Sequence, residues 1–410
     1  MPRNLRLLGA AQFVSQAGDG LYMAVILNYA LRVSGGDKAS VGLVSVCENL
    51  PYVLFGLWAG VLVDRWDRRR TMLGADLLRA AVLVLLFAAD RGGWLGGVNP
   101  SAALPVAGAA FLLSVGTLFF NPARDAVLPD LAEGGDLLKA NAAVGISQYG
   151  ALLVGPLLAA LLLAFRPPAE AFLWDAGTFL VSFACVLAIR VPAKAKAAAP
   201  IRMDVAGALR YARSRSDLMA LLLMTVFNNV LLMGPAIVGS VFLVRGVAEL
   251  GGPFLGCSPE AMYGIYLSCF AAGLIVGVSL LRAFGGARPR WWLLGIGILF
   301  DGLTFLPFAP VARTGSFPLL MATIFVHALP VPMILVVRPA MLQAHVPRER
   351  LGQVFALVNL TVQGVTALSV ALAGILCNRM APGDLFTMAG IGGTLAGVLA
   401  LTLRPLRRLV

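Results

Sequence analysis

The sequence predicts an all-α membrane protein of twelve transmembrane helices, arranged as two pseudo-symmetric six-helix lobes. Three observations predict this. The composition is 59% hydrophobic and only 13% charged, where an ordinary soluble protein carries roughly one quarter charged residues. Twelve separate apolar stretches each reach the length, about 20 residues, that a helix needs to cross a bilayer. The second half of the chain also repeats the pattern of the first. The 45 Gly and 24 Pro fit the same reading, because membrane helices tolerate both residues better than soluble helices do.

In chain order the predicted spans run roughly over 8–31, 39–63, 71–90, 101–122, 138–165, 170–190, 217–244, 259–283, 291–311, 316–338, 350–377 and 383–403. The first carries Gln16, Asp19 and Asn28 and runs a full bilayer thickness, so it is expected to be a span rather than a cleavable signal peptide. The fifth holds Gly145, Gly150, Gly155 and Pro156, and the tenth holds Pro330 and Pro332. Residues 191–216, "VPAKAKAAAPIRMDVAGALRYARSRS", form the longest polar stretch and sit at the midpoint. They divide the chain into a lobe over 1–190, a cytoplasmic linker over 191–216 and a second lobe over 217–410. In the linker, Ile201, Val205 and Leu209 mark one stripe of a short interfacial helix, with Arg202, Arg210 and Arg213 free to meet lipid headgroups. A solvated tether is the alternative.

The formal net charge is +12 with a pI near 10.1. A basic chain can signal nucleic acid, but here the distribution decides otherwise. Most of the 32 Lys and Arg fall in the loops on the side of the two termini, which the positive-inside rule makes cytoplasmic. The expected setting is a membrane with both termini on its cytoplasmic side, with the lipid bilayer as partner and no nucleic acid. Cys47, Cys185, Cys257, Cys269 and Cys377 have no paired spacing, and there are only two histidines, so neither a disulfide frame nor a metal site is expected. No Gly-x-x-x-x-Gly-Lys-Ser/Thr loop and no Ser/His/Asp constellation occurs, which argues against an ATPase and against an enzyme. No cofactor is expected.

The halves echo each other. "NPARDAVLPDLAEGGDLLKANAAV" (121–144) follows the fourth span and "RPAMLQAHVPRERLGQVFALV" (338–358) follows the tenth, each running Pro-Ala, a charged turn, then an apolar helix. Repeats of this kind build two-lobed transporters. Between spans two and three lies "GLWAGVLVDRWDRRRTMLGADLLRA". It resembles the signature loop of the major facilitator superfamily, Gly-x-Leu-a-Asp-Arg-x-Gly-Arg-Arg, through Gly60, Leu62, Asp64, Arg65, Arg68 and Arg69, with Asp67 where the family has Gly. The resemblance implies that Asp64, Arg65 and Arg68 latch a cytoplasmic gate, an anion and cations at helix ends. Arg69 belongs to the same loop, although Arg69 and Arg70 also read as topological charges. Asp76 and Arg79, one turn apart, read as an ion pair supporting the loop.

Further patches, "DLLRA", "NPARDAVLPDL", "AFLWDAGTFLVS", "DVAGALRYARS" and "VPRERLGQVFAL", resemble the proton-coupled exporter branch that includes macrolide efflux proteins and the enterobactin exporter. The resemblance implies a secondary active transporter that exports an amphipathic drug or siderophore against protons by alternating access, acting as a monomer. A lysophospholipid transporter or flippase shares the "NPAR…LLKAN" region and is the alternative. A non-transporting receptor is the alternative from another class. Two family features are altered. The Gly-Pro element of antiporters continues here into Leu157 and Leu158, and the usual Arg in the middle of span four is missing, with Arg124 at its end.

Polar groups inside the spans name the candidate site. A carboxylate at mid-membrane costs several kcal/mol unless it is neutralised or faces a polar cavity. Asp19 and Glu48 are therefore the first proton-coupling candidates, and Asp301 is the third. Asp175 reads as a solvated helix end, and His327, near two prolines, as a packed core histidine that retains the capacity to titrate. Gln16, Tyr22, Asn28, Gln148, Asn229, Asn359 and Gln363 lie on spans one, five, seven and eleven, which in the superfamily line the central cavity. Each is read as a substrate-cavity contact or as a helix-to-helix hydrogen bond.

Overall fold

A computed structural model describes residues 3–95, 100–131, 137–189, 205–284 and 291–408. These residues form helices joined by short turns. The chain divides into two compact units: unit 1 holds residues 1–201 with 256–268, and unit 2 holds 202–255 with 269–410.

Unit 1 contains α1 (Arg3–Val33), α2 (Lys38–Arg65), α3 (Arg68–Arg91), α4 (Ala103–Leu131), α5 (Leu137–Leu163) and α6 (Glu170–Ala188). Helix α1 packs along α5 and α6, α2 packs on α4, and α3 packs on α4 and α6. The α1–α5 contact is a backbone-to-backbone approach. A Cβ on Gly155 would overlap the carbonyl oxygen of Ala17, so this position requires glycine. A core of Leu5, Leu8, Met72, Ala75, Phe120, Val127 and Val186 fills the end of the unit next to the α2–α3 turn. Pro51 and Pro156 sit inside α2 and α5, which nevertheless run through unbroken.

Unit 2 begins with α7 (Val205–Ser214) and α8 (Ser216–Gly234). It continues through a π-turn, Pro235–Gly239, into α9 (Ser240–Gly251), then α10 (Pro259–Phe284). Helix α10 starts among the residues grouped with unit 1 and ends in unit 2. There follow α11 (Trp291–Leu303), α12 (Phe308–Arg313), α13 (Phe317–Ala328), α14 (Val331–Leu335), α15 (Val337–His345), α16 (Arg348–Cys377) and α17 (Pro382–Thr402). Helix α11 lies along α17, and α16 lies along α8. Between α7 and α8, Arg215 makes a bidentate pair with Asp217 (2.9 and 2.5 Å), and this carboxylate raises the Arg215 guanidinium above its usual value.

The expected twelve stretches are all helical. Among the described residues ten are long and apolar enough to cross a membrane, and Gly150–Leu163 is a shorter apolar helix. The remaining stretch is α1, long enough at 31 residues but diluted by its polar side chains. Three spans are interrupted, which hydropathy alone does not reveal. Span seven carries the π-turn, span nine breaks between α11 and α12, and span ten is three short helices, α13 to α15. Proline explains where. Pro235, Pro307, Pro330 and Pro332 lack the N–H that would continue each ladder.

Of the expected linker over 191–216, residues 191–204, Ile201 and Arg202 among them, lie outside the described residues, and Val205–Ser214 form α7. It buries Ala208 and Ala212 in the core of unit 2. The Arg350 guanidinium sits 4.6 Å over the Tyr211 ring.

Candidate functional site in the helix cores

The signature loop becomes the sharp turn between α2 and α3. Asp67, the residue that departs from the family pattern, caps α3: its carboxylate accepts a hydrogen bond from the Arg70 backbone N–H at 2.7 Å. Arg68 donates to the Ala126 carbonyl in α4 at 2.9 Å. Arg69 donates to the Val186 carbonyl at 3.2 Å and also to Leu187, both at the C-terminal end of α6. A cation at that end meets the negative pole of the helix. Arg69 therefore has a structural partner beyond its topological charge. Arg65 is exposed. Gly60 lies in α2 outside the residues whose side chains are described, and so does Asp64.

Deeper in unit 1, one arginine stands among several acids. Arg79 on α3 is 2% exposed and Asp76 is fully buried, with Arg79 Nη2 to Asp76 Oδ1 at 2.5 Å. Ser182 on α6 donates to the second Asp76 oxygen at 2.8 Å. The guanidinium is held between two rings, 4.7 Å from Phe120 and 4.1 Å from Phe179. Its Nε is buried without a hydrogen-bond partner among the described residues. The pair is therefore built into the lobe core, beyond a local support for the loop.

Asp175 corrects the expectation of a solvated helix end, since it is only 1% exposed. The Thr178 hydroxyl lies 3.0 Å from its Oδ1. Both side chains press against α1 at Gly18, where any Cβ would overlap them. This close approach brings Asp175 beside Asp19, and both carboxyls are within electrostatic reach of Arg79. Asp19 and Gln16 are partly exposed. Glu48 on α2 is partly exposed as well, and the Tyr22 hydroxyl approaches its carboxyl without reaching strict hydrogen-bond geometry. Asp19, Asp76 and Asp175 thus share one region around Arg79, and Glu48 is connected to it through Tyr22.

The other predicted contacts fall in several settings. Asn28 is buried and its amide approaches the Ala24 carbonyl at 3.5 Å. Asn229 is buried and donates to the Thr225 carbonyl of its own helix at 2.8 Å. Asn359 is exposed and Gln363 partly exposed. Gln148 lies outside the residues whose side chains are described. In unit 2, Asp301 is buried near the end of α11, with the Asn228 amide at 3.5 Å and His327 Nε2 at 3.8 Å.

Sequence reasoning missed Gln12, Thr178 and Ser182. A signal existed: Asp175, Thr178 and Ser182 recur at i, i+3 and i+7, one face of a helix, and Gln12, Gln16 and Asp19 share a face of α1 at i, i+4 and i+7. Gln12 is 1% exposed and its Oε1 has no partner among the described residues.

These features sit on a fold with known counterparts. The sequence pattern of the Major Facilitator Superfamily matches residues 8–299. The chain belongs to the Major Facilitator Superfamily. As such it is a multi-pass membrane transporter, not an enzyme. It is 25% identical over 390 residues to Macrolide efflux protein A of Streptococcus pyogenes, covering 93% of this chain and 91% of that protein. It is 23% identical over 426 residues to the multidrug efflux pump Tap of Mycolicibacterium fortuitum, covering 99% and 97% respectively. The crystal structure of the nucleoside transporter NupG shares the superfamily fold with a TM-score of 0.79 at 12% identity, over 97% of this chain and 98% of that one.

Proposed function

We propose that the protein is a proton-coupled exporter of amphipathic small molecules that works by alternating access in a bacterial inner membrane, as a monomer with both termini cytoplasmic. The observation that carries this reading is the charge balance in unit 1. One buried guanidinium, Arg79, stands among Asp19, Asp76 and Asp175, and Glu48 joins this cluster through Tyr22, whose hydroxyl is within electrostatic reach of Glu48, Asp175 and Asp19. Asp76 is its direct partner. The other three carboxyls cannot all stay ionised in so little water, because an uncompensated buried charge costs several kcal/mol. Binding protons removes that cost, and losing them again requires water or a positively charged substrate.

Asp19 and Glu48 are the exchangeable members, since both keep some exposure where Asp76 and Asp175 have almost none. Protons taken from the outer side neutralise them. On the cytoplasmic side an amphipathic cation displaces those protons and is carried outward in the next half-cycle. An acidic region selects for weakly basic substrates, in keeping with relatives named for macrolide and multidrug efflux.

A second reading, a lipid transporter, is favoured by one feature. An apolar cleft of about 500 Å³ in unit 1 is lined by Phe13, Leu21, Leu161, Phe165 and Trp174, with Arg166 among its lining residues. It suits an acyl chain with an anionic headgroup.

Proteoliposomes with an internal pH dye test the main reading. Adding a macrolide is expected to trigger proton movement that is lost in Asp19→Asn and reduced in Glu48→Gln. Macrolide movement with no proton movement would overturn proton coupling. A response to lysophospholipid alone would replace the exporter of drugs by the lipid transporter.

A further inference from the structure

The breaks in spans nine and ten bring together two titratable side chains that the superfamily loop and the unit 1 cluster leave unused. Asp301 lies two residues before the end of α11, and His327 one residue before the end of α13. Each is 5% exposed. The His327 ring is walled by Phe270 (6.2 Å between centroids), Phe305 (4.7 Å) and Phe308 (5.8 Å), and Phe386 of α17 stacks against Phe305.

Thr304 Oγ1 lies 2.6 Å from the Phe300 carbonyl, 3.2 Å from the Asp301 carbonyl and 2.8 Å from His327 Nδ1. With its single proton assigned to the shortest of these contacts, the Phe300 carbonyl, the hydroxyl accepts from Nδ1–H. The neutral ring then turns a bare Nε2 toward Asp301 Oδ1, 3.8 Å away. The second Asp301 oxygen faces the Asn228 amide at 3.5 Å, and Asn228 Oδ1 is buried without a partner among the described residues. Among the described residues no Arg or Lys acts on either side chain. The charged groups on the neighbouring α12 and α17, Arg313 and Asp384, instead face each other at 3.6 Å.

We propose that Asp301 and His327 form a proton-carrying dyad in unit 2, with Thr304 and Asn228 as positioning residues. A carboxylate in this apolar setting must be neutral or paired with a cation, and His327 is its only titratable neighbour among the described residues. The dyad holds one proton in two arrangements of equal net charge. In one, the proton is on Asp301. In the other, the carboxyl O–H bond breaks and an Nε2–H bond forms, leaving a carboxylate beside an imidazolium. A separation of 3.8 Å exceeds hydrogen-bond length, so transfer requires a small approach or a bridging water. The interrupted helices supply both the freedom and a route for water. Release of the proton to that water leaves the pair with one negative charge, and uptake from the opposite side restores it.

This inference deepens the transport reading and rests on it for its purpose, but its first test does not involve transport. The chain has only two histidines, so His345→Gln leaves His327 as the sole signal in protein labelled with 15N-histidine and placed in lipid nanodiscs. The expected spectrum is the Nδ1–H tautomer, giving way on titration to the charged ring, with the titration displaced in Asp301→Asn. Identical titrations with and without the Asp301 carboxyl would overturn the dyad. If His345→Gln fails to fold, infrared difference spectra of the otherwise unaltered chain serve instead: a protonated-carboxyl band lost in Asp301→Asn supports the dyad, and its absence at every pH overturns it.

Proteoliposomes then test its purpose. The number of protons moved per substrate is expected to fall by one in His327→Phe, a change that fills the aromatic box and that a merely packed histidine would tolerate. An unchanged ratio would overturn the coupling role. Absence of proton movement in the unaltered protein would overturn the proton-coupled reading, while the nitrogen spectra would still decide the dyad.

Discussion

The two units solve the same problem, polar chemistry inside an apolar bundle, in different ways. Unit 1 keeps its six helices continuous and pairs an arginine with Asp76 of the same helix, which Ser182 of α6 holds, with Asp175 of α6 and Asp19 of α1 within electrostatic reach. Unit 2 has no such arginine among the described residues near its buried acid. It interrupts three spans, and it sets Asp301 against a histidine and an amide. The lesson is that a fixed cation permits a rigid site, whereas a titratable partner calls for backbone that can move. Rigidity in unit 1 suits a site whose charge changes while its shape stays. Broken helices in unit 2 suit one whose proton must change place.

This contrast can be broken most decisively at Arg79. Replacing it with Leu leaves Asp76 buried and unpaired, and is expected to cost about 3–5 kcal/mol, read as a large fall in the melting temperature of the purified protein. Asp76→Asn combined with Arg79→Gln removes both charges and is expected to recover much of the loss. If the Leu variant melts like the parent, the arginine is not the anchor of unit 1.

Next in size is Gly18→Val. The added side chain would overlap Thr178 and Asp175, and overpacking of this kind costs roughly 1–3 kcal/mol. It is also expected to push Asp175 away from Asp19, so proton movement should fall along with stability. Stability lost with unaltered proton movement would show that Asp175 does not belong to the site.

The smallest effect sharpens the comparison at the turn between α2 and α3. Asp67→Ala removes the cap of α3 and is expected to cost about 1 kcal/mol, measured as a modest fall in melting temperature. Restoring the family's residue with Asp67→Gly is expected to cost only a few tenths of a kcal/mol. Equal losses in the two variants would mean that the carboxylate acts as a charge in the loop rather than as a cap.

Much of this was legible before any coordinates. Asp19 and Glu48 stood out because a carboxylate in a long apolar run has few innocent explanations. Asp76 and Arg79 stood out because their spacing is one helical turn. Asp175 did not: six residues into an apolar helix, it could belong to a solvated end or to a core, and only its neighbour on α1 decides. His327 was equally ambiguous, because its partner lies 26 positions away in the chain and on another span.

By itself the sequence determined what depends on one helix at a time: the apolar spans, the repeat and the superfamily loop. Hydropathy, positive charge in loops and turn chemistry are local quantities, so a linear reading captures them. The tertiary structure decided which polar groups meet. Asp175 reaches α1 because Gly18 has no side chain, Arg69 finds the end of α6 more than a hundred residues away, and His327 meets Asp301 where two helices stop. Those pairings depend on helix rotation and close approach, which are set by packing between segments far apart in the chain.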